Sequence, residues 1–149
     1  MLKPTAIATA IAGTLDILLA MILTLWFGRE ILDMLRFVAS GPLPVAADMG
    51  AGGAALGLVV HFTLMAIMAA VFMGICRLRP VLLDTPYRTA LAFGVVTYFA
   101  MNWLVVPLRF GTPLPPKPLS IATQLFAHIV LVGIPMAYIA ARYLRPRVA

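Results

Sequence analysis

Four apolar stretches, each long enough to cross a lipid bilayer as a helix, decide what this chain can become. A hydrocarbon core about 30 Å thick needs roughly 20 apolar residues in helical form. The sequence supplies such runs at about 5–27, 50–75, 89–108 and 119–141. Charge or proline bounds each one: Lys3-Pro4, Arg29-Glu30, Arg77 to Pro80, Arg109, and Arg142 to Arg147. Of the 149 residues 63% are hydrophobic and only 11% charged. A soluble domain has nearer half apolar and a quarter charged residues. The expectation is therefore all-α: a single integral-membrane domain over residues 1–149, folded as a four-helix bundle. The first run exceeds the roughly 7–15 apolar residues of a signal-peptide core, and no small-residue cleavage site closely follows it. It is expected to stay as a span.

The net charge of +6 could suggest nucleic acid, but the basic residues sit at the ends of apolar runs rather than in a patch interleaved with aromatics. Topology explains them instead. Lys3, Arg77, Arg79, Arg88, Arg142, Arg145 and Arg147 fall on one side of the expected membrane, against Arg29, Arg36, Arg109 and Lys117 on the other. The excess of Lys and Arg marks the cytoplasmic face, so both termini are expected there. A lone cysteine, Cys76, then faces a reducing compartment. One Cys and two His are too few for an evident zinc site, and no metal site is expected.

The connections are unequal. Val81–Arg88 is short, which predicts that the second and third spans are antiparallel neighbours. In Gly28–Met49, Ile31, Leu32, Leu35 and Val38 recur at helical spacing. They predict either a short helix in the outer interface or a continuation of the first span, stopping at Ser40-Gly41-Pro42. The segment from Arg109 to Ser120 carries Pro113, Pro115, Pro116 and Pro118 and is expected to be extended.

The two halves resemble each other. Thr9-Ala-Ile-Ala12 matches Thr89-Ala-Leu-Ala92, and Ala20-Met21 matches Ala100-Met101 at the same offset. His61 precedes Arg77-Leu78-Arg79-Pro80, much as His128 precedes Tyr143-Leu144-Arg145-Pro146. This reads as an internal repeat of two similar helical hairpins, related by an axis along the membrane normal.

Polar side chains inside the runs are the candidate functional residues. Asp16 lies about 11 residues into its run, near mid-bilayer at 1.5 Å per residue. A charged carboxylate at that depth costs roughly 2.5–3.5 kcal/mol on insertion scales. Thr9, Gly13, Asp16 and Ala20 share a helix face whose small residues admit a close neighbour. His61 lies on the face of Gly50, Ala54 and Gly57, where Gly53 and Gly57 form a GxxxG. His128 follows Gln124 by one turn, and Asn102 lies in the third run. Two roles compete for Asp16, His61, Asn102, Gln124 and His128. They can be interhelical glue, or they can line a proton or ion path. His61 and His128 at matched depth are also an alternative pair of axial ligands for a b-type haem. Met65, Met68 and Met73 read as packing.

Leu15-Asp16-Ile17, Ala39-Ser40-Gly41, and Gly57 followed by His61-Phe62 resemble a group of uncharacterised bacterial four-helix inner-membrane proteins. The resemblance implies a bacterial cytoplasmic membrane and supplies no activity. No nucleophile elbow, Walker or HExxH motif appears, so no catalytic residue is assigned and an enzyme is the least favoured class. The expected function is an accessory or scaffold subunit of a membrane complex, or a self-associating membrane protein. The alternatives are a proton- or ion-coupled transport component and a haem-binding electron-transfer subunit. The expected partners are the lipid bilayer, further copies of the chain or a larger complex, and not nucleic acid.

Overall fold

The computed structural model describes residues 1–145. Pro146 and Arg147, used above in the repeat and the charge count, lie outside the described residues. Among the described residues the chain is all-helical and has no strand. Four helices are long and apolar enough to cross a membrane: α1 (Leu2–Trp26), α3 (Gly50–Leu78), α4 (Pro86–Phe110) and α5 (Pro118–Leu144). A fifth, α2 (Ile31–Ser40), is short and amphipathic. The long helices outrun the apolar windows by up to a turn, because flanking residues such as Arg77 continue the helical backbone.

The joint between α1 and α2 is set by one glycine. Gly28 adopts φ +67°, its N–H donates to the Leu25 carbonyl, and the Arg29 N–H donates to that of Thr24. This Schellman pattern needs a left-handed residue at the first position beyond the helix, which glycine enters without steric cost. It makes α2 a separate helix rather than a continuation of α1. Nor does α2 lie free of the long helices. Leu35 and Ala39 are buried, and Ile17, Leu35 and Ala54 form one apolar cluster joining α1, α2 and α3. The GxxxG face of α3 receives this connection. A Cβ at Gly57 would overlap the Leu35 carbonyl, and one at Gly53 the carbonyl of Ala46, in the short 3₁₀ turn Pro44–Asp48. The tight partner of that motif is the connecting segment itself.

The remaining packing joins α1 to α3, α1 to α5, and α4 to α5. Its core is built largely of alanine, with Ala8, Ala12, Ala69, Ala90, Ala137 and Ala140 all buried around Met73, Val132 and Met136. Small residues bring helix backbones close together. The expected neighbours α3 and α4 meet through long side chains, chiefly Phe72 against Phe93 at 4.4 Å between ring centroids. Helix α5 contacts both of them.

Proline reshapes α4 and α5 internally. Pro107 and Pro135 each stand two residues beyond a π-helical segment, Ala100–Val105 and Ala127–Gly133 respectively. A proline inside a helix lacks an N–H and clashes with the carbonyl four residues earlier. Widening the preceding turns to i→i+5 spacing relieves both problems. The widened segment of α5 lies against α4, where a Cβ on Gly94 would overlap the His128 carbonyl.

The helix ends segregate. Arg145 donates to the Leu83 carbonyl, and the Lys3 ammonium lies 6.0 Å from the Tyr143 ring. Together these draw the start of α1, the α3–α4 turn and the end of α5 to one end of the molecule. At the other end Arg109 donates from Nε to the Gly41 carbonyl at 2.5 Å and from an Nη to that of Ser40 at 2.7 Å. Phe37 stacks on Phe110 there.

Candidate functional site

The polar residues anticipated as one cluster divide into separate local arrangements. Asp16 and His61 come together across α1 and α3. The buried stripe of α1 runs through Ala8, Ala12, Gly13 and Ile17, which leaves Asp16 at its margin with 23% of its side chain accessible. Asp16 thus flanks the packed face rather than centring it.

His61 is held by two contacts of different kinds. One ring nitrogen, Nε2, stands 2.9 Å from the Gly13 carbonyl oxygen. A carbonyl can only accept, so Nε2 carries the hydrogen and Nδ1 of the neutral ring is the lone-pair nitrogen. Nδ1 faces Asp16, 4.0 Å from Oδ2. That separation is within ion-pair range and beyond a direct hydrogen bond. A proton held by the pair therefore has two seats, one on the Asp16 carboxyl and one on Nδ1. With the proton on Nδ1 the pair is imidazolium and carboxylate; with it on Asp16 both groups are neutral. Gly13 permits the approach: a Cβ there would come 2.8 Å from the ring of Phe62, which packs edge-on against His61.

His128 forms the second arrangement, inside the π segment of α5. Its Nδ1 lies 3.1 Å from the hydroxyl of Thr97 on α4, and that hydroxyl donates to the Phe93 carbonyl at 2.9 Å. The hydroxyl has one hydrogen, already committed to a backbone carbonyl, so it accepts from Nδ1–H. The Tyr98 ring meets His128 edge-on, and its hydroxyl accepts from the Trp103 indole at 3.1 Å.

Asn102 turns back on its own helix, donating to the Tyr98 carbonyl at 3.3 Å. Gln124 is half-buried. No hydrogen bond or ion pair among the described residues joins His128, Asn102 or Gln124 to Asp16 or His61. For a bis-histidine haem clamp His128 keeps Nε2 as its lone-pair nitrogen, whereas the lone-pair nitrogen of His61, Nδ1, is turned toward Asp16. Among the described residues no group of three or more His, Cys, Asp or Glu side chains is placed to hold a metal ion. The sequence reading passed over Thr97, Tyr98 and the Gly13 carbonyl.

Among the described residues the fold and this site define an all-helical chain with four helices of membrane-crossing length and apolarity, carrying a carboxylate–imidazole pair between two of them. No protein family matches the chain, and neither the curated proteins nor the solved structures contain a match.

Proposed function

We propose that this chain is a multi-pass protein of a bacterial cytoplasmic membrane with both termini in the cytoplasm. In this reading it is a four-helix bundle of two similar hairpins that serves as an accessory or self-associating subunit of a membrane assembly. The observation that carries the subunit reading is that the polar side chains find their partners within each hairpin: His61 Nε2 on the Gly13 carbonyl with Asp16 at ion-pair distance, and His128 on Thr97. A conducting path needs polar groups in succession across the membrane, whereas among the described residues no hydrogen bond or ion pair links these two arrangements. Large apolar side chains such as Ile22, Val59 and Val96 are each more than 60% exposed, as lipid- or partner-facing residues would be.

The hairpin contacts also support the repeat. The offset of 80 that aligns Thr9 with Thr89 aligns Gly13 with Phe93. His61 reaches the first carbonyl directly, and His128 reaches the second through the Thr97 hydroxyl. Native electrophoresis of membranes solubilised in mild detergent tests the subunit reading. The expected band is an assembly larger than one 16.0 kDa chain in its detergent belt. Migration as a monomer contradicts it.

The Asp16–His61 pair favours a second reading, a proton-coupled role at this one site. Asp16→Asn keeps the shape and removes the charge. If the pair is glue, the variant folds and the assembly keeps its activity. If the pair carries a proton, the variant folds and that activity is lost.

A further inference from the structure

We propose that the groove between the start of α4 and the end of α5 is a binding site for one acidic phospholipid of the cytoplasmic leaflet. The groove encloses about 320 Å³. Its lining includes the exposed side chains of Arg142, Arg145, Tyr87 and Tyr138 and the buried Ala90 and Ala137. Its lining thus has two chemistries: guanidinium groups and phenols that are exposed, and small apolar side chains that are buried. A phosphodiester with an acyl chain attached matches both chemistries, whereas a free anion would leave the apolar lining uncovered.

The two arginines are differently prepared. Arg145 is braced, donating from its guanidinium to the Leu83 carbonyl just before α4. Planar guanidinium keeps further N–H donors after such a contact. Arg142 makes no hydrogen bond or ion pair among the described residues, although it lines the groove. The nearby carboxylate, Asp84, is exposed and pairs with neither arginine. The first turn of α4, beginning at Pro86, adds backbone N–H groups that have no partner within the helix. Tyr87 and Tyr138 are 78% and 65% exposed, and tyrosines of this kind favour the headgroup level of a bilayer. Basic pockets between helices on the cytoplasmic side are the usual recognition chemistry for acidic lipid headgroups.

This inference rests on the membrane reading above, and one experiment separates their failures. The protein is reconstituted into phosphatidylcholine vesicles with and without phosphatidylglycerol, released into mild detergent, and weighed by native mass spectrometry. Preferential retention of one phosphatidylglycerol is expected. Arg142→Gln should lower that preference about fivefold, the effect of one basic residue near a charged lipid surface. Arg79→Gln, at the same end of the molecule but outside the groove, should leave it unchanged. Equal retention of the two lipids overturns the site, as does an equal loss in both variants. A chain that fails to enter phosphatidylcholine vesicles overturns the membrane reading and the site with it.

Discussion

His61 donates from Nε2 to the carbonyl of Gly13 and thereby turns Nδ1 toward Asp16, 4.0 Å away. The backbone of α1 thus fixes the tautomer of a histidine on α3 and leaves its lone-pair nitrogen facing a carboxylate a turn further along α1. The pair is the most specific chemical feature of the molecule. It predicts energetic coupling between the two side chains. In a double-mutant cycle with Asp16→Asn and His61→Gln, unfolding in detergent should show a coupling of about 0.6 kcal/mol, the average for interhelical polar contacts in a membrane protein. Effects that simply add would mean that the two groups do not interact.

The His128 arrangement depends on a single hydroxyl. Thr97→Val conserves shape but removes the acceptor of Nδ1–H and the donor to Phe93. It should destabilise the α4–α5 pair by about 1–3 kcal/mol, the cost of an unsatisfied buried polar group. Thr97→Ser keeps the hydroxyl and should recover most of that loss. Thermal unfolding of the three proteins in one detergent decides the matter, and equal midpoints for the valine and serine variants would refute it.

Glycines on one face of α3 should differ sharply from their neighbours. A Cβ at Gly53 or Gly57 would overlap backbone of the connecting segment, whereas one at Gly52 or Gly74 meets nothing within 4 Å. Gly57→Ala should cost about 1–3 kcal/mol by overpacking and loosen α2. Gly52→Ala should be neutral or stabilise by up to about 1 kcal/mol through helix propensity. Limited proteolysis near Leu43, with unfolding curves, reports both effects. Equal behaviour of the two variants would remove α2 from its place against α3.

Arg109 closes the end of α2 by donating to the carbonyls of Ser40 and Gly41. A cation at a helix C-terminus contributes about 0.3–1 kcal/mol, and the exposure of this side chain argues for the lower half of that range. Arg109→Lys keeps the charge but loses the two-pronged geometry. Both Arg109→Ala and Arg109→Lys should speed hydrogen exchange at the Gly41 and Leu43 amides, alanine more than lysine. Unchanged exchange in both would show that the fork is not what holds this turn.

The four long helices were legible in the sequence because apolar length and flanking charge are local signals. The stop at Ser40-Gly41 was legible for the same reason. What could not be read was how the elements met. The Gly53/Gly57 face announced a close partner, but nothing local said that α2 would be that partner rather than another long helix. A short Val81–Arg88 connection suggested α3 and α4 as close neighbours, yet a small-residue interface draws α4 to α5 through Gly94 and Gly133. Periodicity counted at 3.6 residues per turn also fails across the π segments, which change the facing of every residue after Ala100 in α4 and after Ala127 in α5. Pairing Asp16 with His61 was within reach of burial arguments. Separating both from His128 required the side-chain partners.

Cysteine accessibility tests the membrane account most directly. Cys76 is fully buried and can remain in place, while Val45, Leu114, Leu78 and Val81 are 61%, 49%, 80% and 68% exposed and suit single reporters. An impermeant maleimide applied to intact bacterial cells should label Val45→Cys and Leu114→Cys from outside. Leu78→Cys and Val81→Cys should react only after permeabilisation, as the proposed cytoplasmic orientation of the basic end requires. Labelling of the second pair from outside with protection of the first would reverse the orientation. Labelling of all four only after permeabilisation would mean that the chain does not cross the membrane.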